Sequence, residues 1–378
     1  MLGDNQQQLN FSTLDNSSLQ PVVTSLDNVP QLYPASLNAT GQGLRLSASC
    51  DDVTGLRHFM ACVVNPGLAS VGLLGNLASV AILARCGLHK ATNVLLLTLA
   101  AADAMYLLGA VSFENFLSSL GQSDRGALYT GWRQTEPVAF FCFLVDRLLA
   151  VVTSWGSYVS TSVPAAIIIE RCLAVYRPLH FRSWVTPRAA WTVMAACYVF
   201  WLPWALLSTV PFSFWYICLS DAEYFGYYTP SDFTQQNINF LYIVAAYMLN
   251  YLGGVVPVTV SIIGSLFIGA KVKSSARMRK RLSGSKVSHS SHVTRTLVTV
   301  SLVFAVVNIC YYVITSAYKD DLINGTETGY DVIEFQSFLL VVCSSSNFFV
   351  YVVSDPKFRL QLDQAIVRWC CRLRSKHL

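Results

Sequence analysis

Three ionisable residues sit where this chain can least accommodate them. Asp103 lies inside the apolar run 92–116, and the pair Glu170-Arg171 closes the apolar run 138–175. A charged side chain at bilayer depth costs at least about 2.5–3.5 kcal/mol, so each is a functional candidate whose partner must be found. For Asp103 the bland reading is a carboxylate satisfied by Asn76 and Asn347 with water. For Glu170-Arg171 it is an interfacial ion pair whose arginine snorkels to the surface. Catalytic patterns are missing: the chain has neither the H-E-x-x-H of an intramembrane metalloprotease nor a G-x-S-x-G elbow. No enzyme activity, metal centre or nucleic-acid partner is expected.

The elements that must position these residues are written in the hydropathy. The chain has 378 residues, 53% hydrophobic and 12% charged, with a mean hydropathy of +0.46. Soluble domains carry about 25% charged residues. Seven runs are long enough to cross a core of about 30 Å, which takes about 20 residues per helix: 59–84, 92–116, 138–175, 189–211, 240–270, 294–316 and 332–353. In lipid only helices satisfy their own backbone groups, and no alternating barrel pattern competes. The fold class is an all-α membrane protein, a seven-helix bundle. A polar head (1–58) precedes the membrane domain (59–353), and a short tail (354–378) follows it. The head shows no apolar run like that of a signal peptide, so the first helix is expected to carry it across.

Charge sets the orientation. With the head outside, twenty of the 26 Lys and Arg fall on inner loops and the tail, as the positive-inside rule requires. The four N-x-S/T sequons, at Asn10, Asn16, Asn38 and Asn324, all fall outside in the same arrangement. The protein is therefore expected at the plasma membrane with its N-terminus extracellular.

Further residues within the helices select among seven-helix proteins. They are Gly75-Asn76 in the first helix, Leu99-Ala-Ala-Ala-Asp103 in the second and Glu170-Arg171-Cys172 at the end of the third. Tyr176-Arg-Pro178-Leu follows, then Trp191, Pro257, Phe304 and Asn347-Phe-Phe-Val-Tyr351. In this order and spacing the chain resembles the rhodopsin-like G-protein-coupled receptors, from about residue 59 to 358, and within them invertebrate neuropeptide receptors. The resemblance implies a role for each residue. Arg171 would meet the G protein, Glu170 would hold that arginine at rest, and Tyr351 would swing inward on activation. Pro178 and Phe304 would belong to the same coupling region. Asn76, Asp103, Ser160 and Asn347 match a polar cluster that binds an allosteric sodium ion in many members, and no other cofactor is implied.

The chain also departs from the family. Cys310 stands at the usual helix-six proline, Asn308 at its usual tryptophan and Phe348 after Asn347, where a proline is usual. The third helix has an unusual Pro164, which removes a backbone donor and is expected to bend the helix near Ser160. Cys142 and Cys218 match the family's outer disulfide. However, Cys142 lies about one helical turn further from Arg171 than usual, with Asp146 at the normal Cys position. Either the third helix is extended by a turn or the bridge is displaced.

The outer face carries seventeen of the 21 acidic residues against six basic ones. A negative vestibule concentrates cationic ligands. Glu114, with Asp146 or Arg147, is a candidate for a basic peptide group, and Asn308 is a further pocket candidate; the plain alternative for Glu114 is an ion pair with Arg147. The aromatics between 212 and 228 form a lid or an interfacial belt. On the inner side, the basic run from Lys271 contacts anionic lipid, the G protein or both. Its Ser274, Ser275, Ser283 and Ser285 are candidate phosphate acceptors for a receptor kinase and arrestin. Asp355 and Pro356 open a short eighth helix with the stripe Phe358, Leu362 and Ile366, amphipathic and suited to lie on the inner leaflet among membrane lipids. Cys370-Cys371 beyond it are palmitoylation candidates or two free thiols.

The function implied is a receptor for an extracellular ligand, a small basic or amidated neuropeptide, that activates a heterotrimeric G protein. The rival is a chemosensory receptor for a small molecule on the same fold. An opsin is excluded, because 332–353 contains no Lys for a Schiff base. A transporter would show internal repeats or paired broken helices.

Overall fold

The computed structural model describes residues 59–85, 87–111, 123–125, 130–134, 136–207, 212–220, 223–282, 290–324, 326–354 and 358–364. Among these described residues, seven helices are long and apolar enough to cross a membrane. They are α1 (Asn65–Arg85, entered through a π-helical stretch Met60–Val64), α2 (Ala91–Ala110), α3 (Glu136–Tyr176) and α4 (Pro187–Leu207). Then follow α5 (Val256–Leu282, entered through a π-helical stretch Val244–Val255), α6 (Ser290–Ala317) and α7 (Glu327–Ser354). All seven overlie the apolar runs. Large apolar side chains such as Leu74, Val199, Leu266 and Val353 point out of the bundle, the arrangement of a multi-pass membrane protein, whose outer surface meets lipid.

Lipid tails are as apolar as leucine, so the helices hold together by close packing and hydrogen bonds rather than by exclusion of water. Gly156 on α3 shows how close. A Cβ there would stand 2.6 Å from the backbone nitrogen of Tyr106 and 2.7 Å from the carbonyl of Ala102 on α2. Neither backbone atom can rotate away. Gly156→Val is therefore expected to separate α2 from α3 and to cut the yield of folded protein at the cell surface several-fold, measured by surface labelling. Gly67→Val, where nothing lies within 4 Å, is the comparison.

The two ends of the bundle differ. At one end, which we term the sheet end, the segments between α2 and α3 and between α4 and α5 join in one antiparallel sheet. Its strands are β1 (Ser123–Arg125), β2 (Thr130–Gln134), β3 (Phe212–Ser220) and β4 (Glu223–Pro230), in the order β1-β2-β4-β3. The aromatics read from sequence as a lid or a belt are thus all strand residues, Trp215 lying opposite Tyr227 and Ile217 opposite Phe225. Aromatic and β-branched residues favour a pleated surface. The sheet adds to the helical bundle and leaves its seven spans intact.

At the other, basic end, Pro178 opens a short helix, Pro178–Trp184, a position where its missing N–H costs nothing. The α5 helix continues well past residue 270, to Leu282, so much of the basic run is a helix extension. Residues 358–364 are helical, and Phe358 is buried against Phe348 and Tyr351, with ring centroids 6.3 and 5.9 Å away. Asp355, Pro356, Cys370 and Cys371 lie outside the described residues. The α3 helix runs unbroken through Pro164. The α6 and α7 helices are continuous past Cys310 and Phe348.

Candidate functional site

Asp103 is fully buried at the centre of the bundle. The Ser160 hydroxyl donates to its Oδ1 at 2.5 Å, and the Asn347 amide donates to its Oδ2 at 2.7 Å. One carboxylate thus joins α2, α3 and α7. Asn76 does not reach it. Its amide donates to the carbonyls of Gly72 and Ser344, both at 3.0 Å, so it ties α1 to α7 instead. The Asn76 Oδ1 is buried without a hydrogen-bond partner. Carboxylate and hydroxyl oxygens are among the donors a hard cation takes, and Asp103 and Ser160 bring one of each together here.

A second polar group lies at the basic end. Arg171 donates through Nε and Nη2 to the two carboxylate oxygens of Glu170, a bidentate pair, and its Nη2 also donates to the hydroxyl of Thr92. Thr92 in turn donates to Glu170 Oε1 at 3.0 Å. Glu170 is 4% exposed. Thr92 stands in the first turn of α2, where the helix dipole favours a nearby anion. Sequence reading found the pair and missed the threonine that binds both its members. Beside this group α3 is fastened to α5: the Tyr176 hydroxyl donates to the Phe267 carbonyl at 3.0 Å, and Lys271 stands 5.7 Å from the Tyr176 ring centroid.

The remaining sequence candidates are scattered. Phe304 and Asn308 are buried on α6, where the Asn308 amide donates to the Phe304 carbonyl at 2.8 Å. Tyr351 is buried on α7, its hydroxyl without a hydrogen-bond partner. Near the sheet end of α3, Arg147 pairs with its neighbour Asp146 and stands 5.9 Å from the Phe143 ring centroid. Glu114, Asn10, Asn16 and Asn38 lie outside the described residues. Asn324 closes the short helix Lys319–Asn324. The α3 helix starts at Glu136, which places Cys142 inside it and fits a helix extended by a turn. Cys218 lies on β3 opposite Tyr224; the side chains of Asn324, Cys142 and Cys218 are not among those described.

A third cluster escaped the sequence. Trp201 on α4 is 3% exposed; its indole donates to the Ser162 hydroxyl at 3.0 Å and its ring stacks on Tyr158 at 5.2 Å. Tyr198 donates to the Thr98 carbonyl at 3.2 Å and accepts from the Trp155 indole at 2.9 Å through its own carbonyl. These contacts clasp α2, α3 and α4. Trp191, the aromatic that sequence singled out in this helix, is 42% exposed.

The geometry agrees with comparison to known proteins. The profile of the seven-transmembrane receptors of the rhodopsin family matches residues 75–351. The chain is 28% identical over 289 residues to somatostatin receptor type 5 of Rattus norvegicus, covering 74% of this chain and 70% of that protein. It is 24% identical over 318 residues to an FMRFamide receptor of Drosophila melanogaster, covering 80% of this chain and 53% of that protein. Over 152 residues it is 26% identical to a probable G-protein coupled receptor of Caenorhabditis elegans, covering 38% of this chain and 32% of that protein; the chain thus spans about a third of that relative's length. The profile match runs from the Asn76 region through the Asp103 cluster, Glu170 and Arg171 to Tyr351, and the chain belongs to the rhodopsin family of seven-transmembrane receptors.

Proposed function

We propose that this receptor faces the outside of the cell with its sheet end, binds a small neuropeptide there and activates a heterotrimeric G protein at its basic end. The observation that carries the reading is the Thr92-Glu170-Arg171 group. It is a charge pair held in reserve at the end of the bundle where basic residues concentrate. A partner of opposite charge that draws Arg171 away also loosens α3 from α2. Beside it Leu179 is 90% exposed on the short helix Pro178–Trp184, an apolar knob a docking protein can cover.

The relatives named for somatostatin and FMRFamide support a peptide ligand, and the acidic excess on the sheet-end side supports a basic one. Sodium is assigned to the Asp103 cluster as an allosteric ion. A receptor kinase and arrestin act on the serines beside the basic run. Residues 358–364 and the cysteines beyond them bind the inner leaflet.

A library of short amidated peptides, screened on cells expressing the receptor with calcium and cyclic AMP as readouts, tests the reading. At least one peptide is expected to signal at submicromolar concentration. Silence to every peptide, with a response to small odorants, would replace it with the chemosensory alternative.

A further inference from the structure

We infer that Thr92 is the positioning residue that keeps this receptor off in the absence of ligand, an inference that rests on the proposed coupling through Arg171. A carboxylate on a second helix could restrain Arg171 by an ion pair between the two helices. Neither α5 nor α6 supplies one, since Val256–Leu282 and Ser290–Ala317 contain no Asp or Glu. Arg171 therefore has Glu170, its own neighbour on α3, as the one carboxylate it meets among the described residues.

A pair between adjacent residues on one helix restrains nothing by itself, because both members move together. Thr92 supplies the missing anchor. Its hydroxyl is bonded to both: it donates to Glu170 Oε1 at 3.0 Å and accepts from Arg171 Nη2. The bonds join the first turn of α2 to the last turns of α3. They hold the guanidinium against α2. The pair is shielded, with 11% of the arginine side chain and 5% of the glutamate side chain exposed, which strengthens charge-assisted bonds relative to surface ones.

Thr92 is only partly buried, and Thr→Val keeps its shape while removing the hydroxyl. Thr92→Val removes both of these bonds, and the loss of even one shifts a two-state equilibrium by about three- to tenfold. The test uses full-length receptor in lipid nanodiscs without ligand, read in two ways. One is nucleotide exchange on a panel of heterotrimeric G proteins at matched receptor concentration. The other, without any G protein, is hydrogen exchange at the basic end of α6.

Thr92→Val is expected to raise both, basal turnover by about three- to tenfold, and Thr92→Ala to do the same. Thr92→Ser, which keeps the hydroxyl, is expected to return both toward wild type. In a Glu170→Gln background Thr92→Val is expected to add little, because both bonds it removes are already weakened once the Glu170 charge no longer holds Arg171 in place. A hydroxyl that merely capped α2 would lower the melting temperature without raising turnover, and that result overturns the inference. Wild-type turnover with an unchanged Thr92→Val variant overturns it also, while leaving the proposed coupling intact. Raised hydrogen exchange in Thr92→Val with no turnover on any heterotrimer supports the anchor and sinks the coupling.

Discussion

Arg171→Met is expected to abolish nucleotide exchange and, separately, to lower the melting temperature of the purified protein; Glu170→Gln in the same chain is expected to recover the stability but not the exchange. The two effects have different causes. Glu170 is 4% exposed and its charge is met by Arg171. Removing the cation leaves a buried carboxylate uncompensated, which costs about 3–5 kcal/mol. Replacing both charged residues by neutral ones of similar size removes that penalty, since a buried pair contributes little net stability against apolar substitutes. Gln at 170 still accepts from Thr92, so the α2–α3 junction keeps one bond. Signalling should not recover, because the guanidinium that reaches a partner is gone. Thermal melts of single and double variants, with exchange assays on the same preparations, give the cycle directly. Recovered exchange in the double variant would show that Arg171 serves only to neutralise Glu170.

The second large effect concerns the centre of the bundle. Asp103→Leu is expected to prevent folding to the cell surface, whereas Asp103→Asn is expected to fold and to lose any response to sodium. Leucine would leave the Ser160 hydroxyl and the Asn347 amide without the acceptor they now share. Each buried polar group left unsatisfied costs about 1–3 kcal/mol, set against a total of about 5–15 kcal/mol for a typical protein. Asparagine keeps the size of the side chain and one acceptor oxygen but not the negative charge that a cation requires. In wild type, a sodium ion held at Asp103 as proposed would raise stability by mass action, so the melting temperature should rise when sodium replaces N-methylglucamine at constant ionic strength. Asp103→Asn and Ser160→Ala should flatten that rise. An equal rise in wild type and Asp103→Asn would remove the ion from this site.

The spans could be read from the chain because crossing a bilayer imposes a one-dimensional requirement on composition. The resemblance likewise placed Asp103, Ser160 and Asn347 in one cluster, and the structure joins them by direct bonds. What escaped has a physical reason in each case. Asn76 binds the Ser344 carbonyl, and a backbone acceptor leaves no mark in residue types. Thr92 meets Glu170 across 78 positions of chain, and a threonine in a first helical turn gives no local sign of a distant partner. Trp191 and Trp201 share a helix apolar on every face, so periodicity could not say which is buried. The sheet was hidden because aromatics flanking a membrane serve a belt as well as a strand. Only the backbone pairing, such as Trp132 opposite Gly226, separates the two.

In the proposed mechanism Arg171, released from Glu170 and Thr92, drives a G protein. The most direct measurement is guanine-nucleotide exchange on a panel of heterotrimers by wild type, Glu170→Gln and Arg171→Met, each in nanodiscs at equal concentration of folded receptor. Exchange above that of empty nanodiscs for wild type, faster exchange for Glu170→Gln and none for Arg171→Met is the predicted order on at least one heterotrimer. Equal rates for all three proteins on every heterotrimer would contradict it.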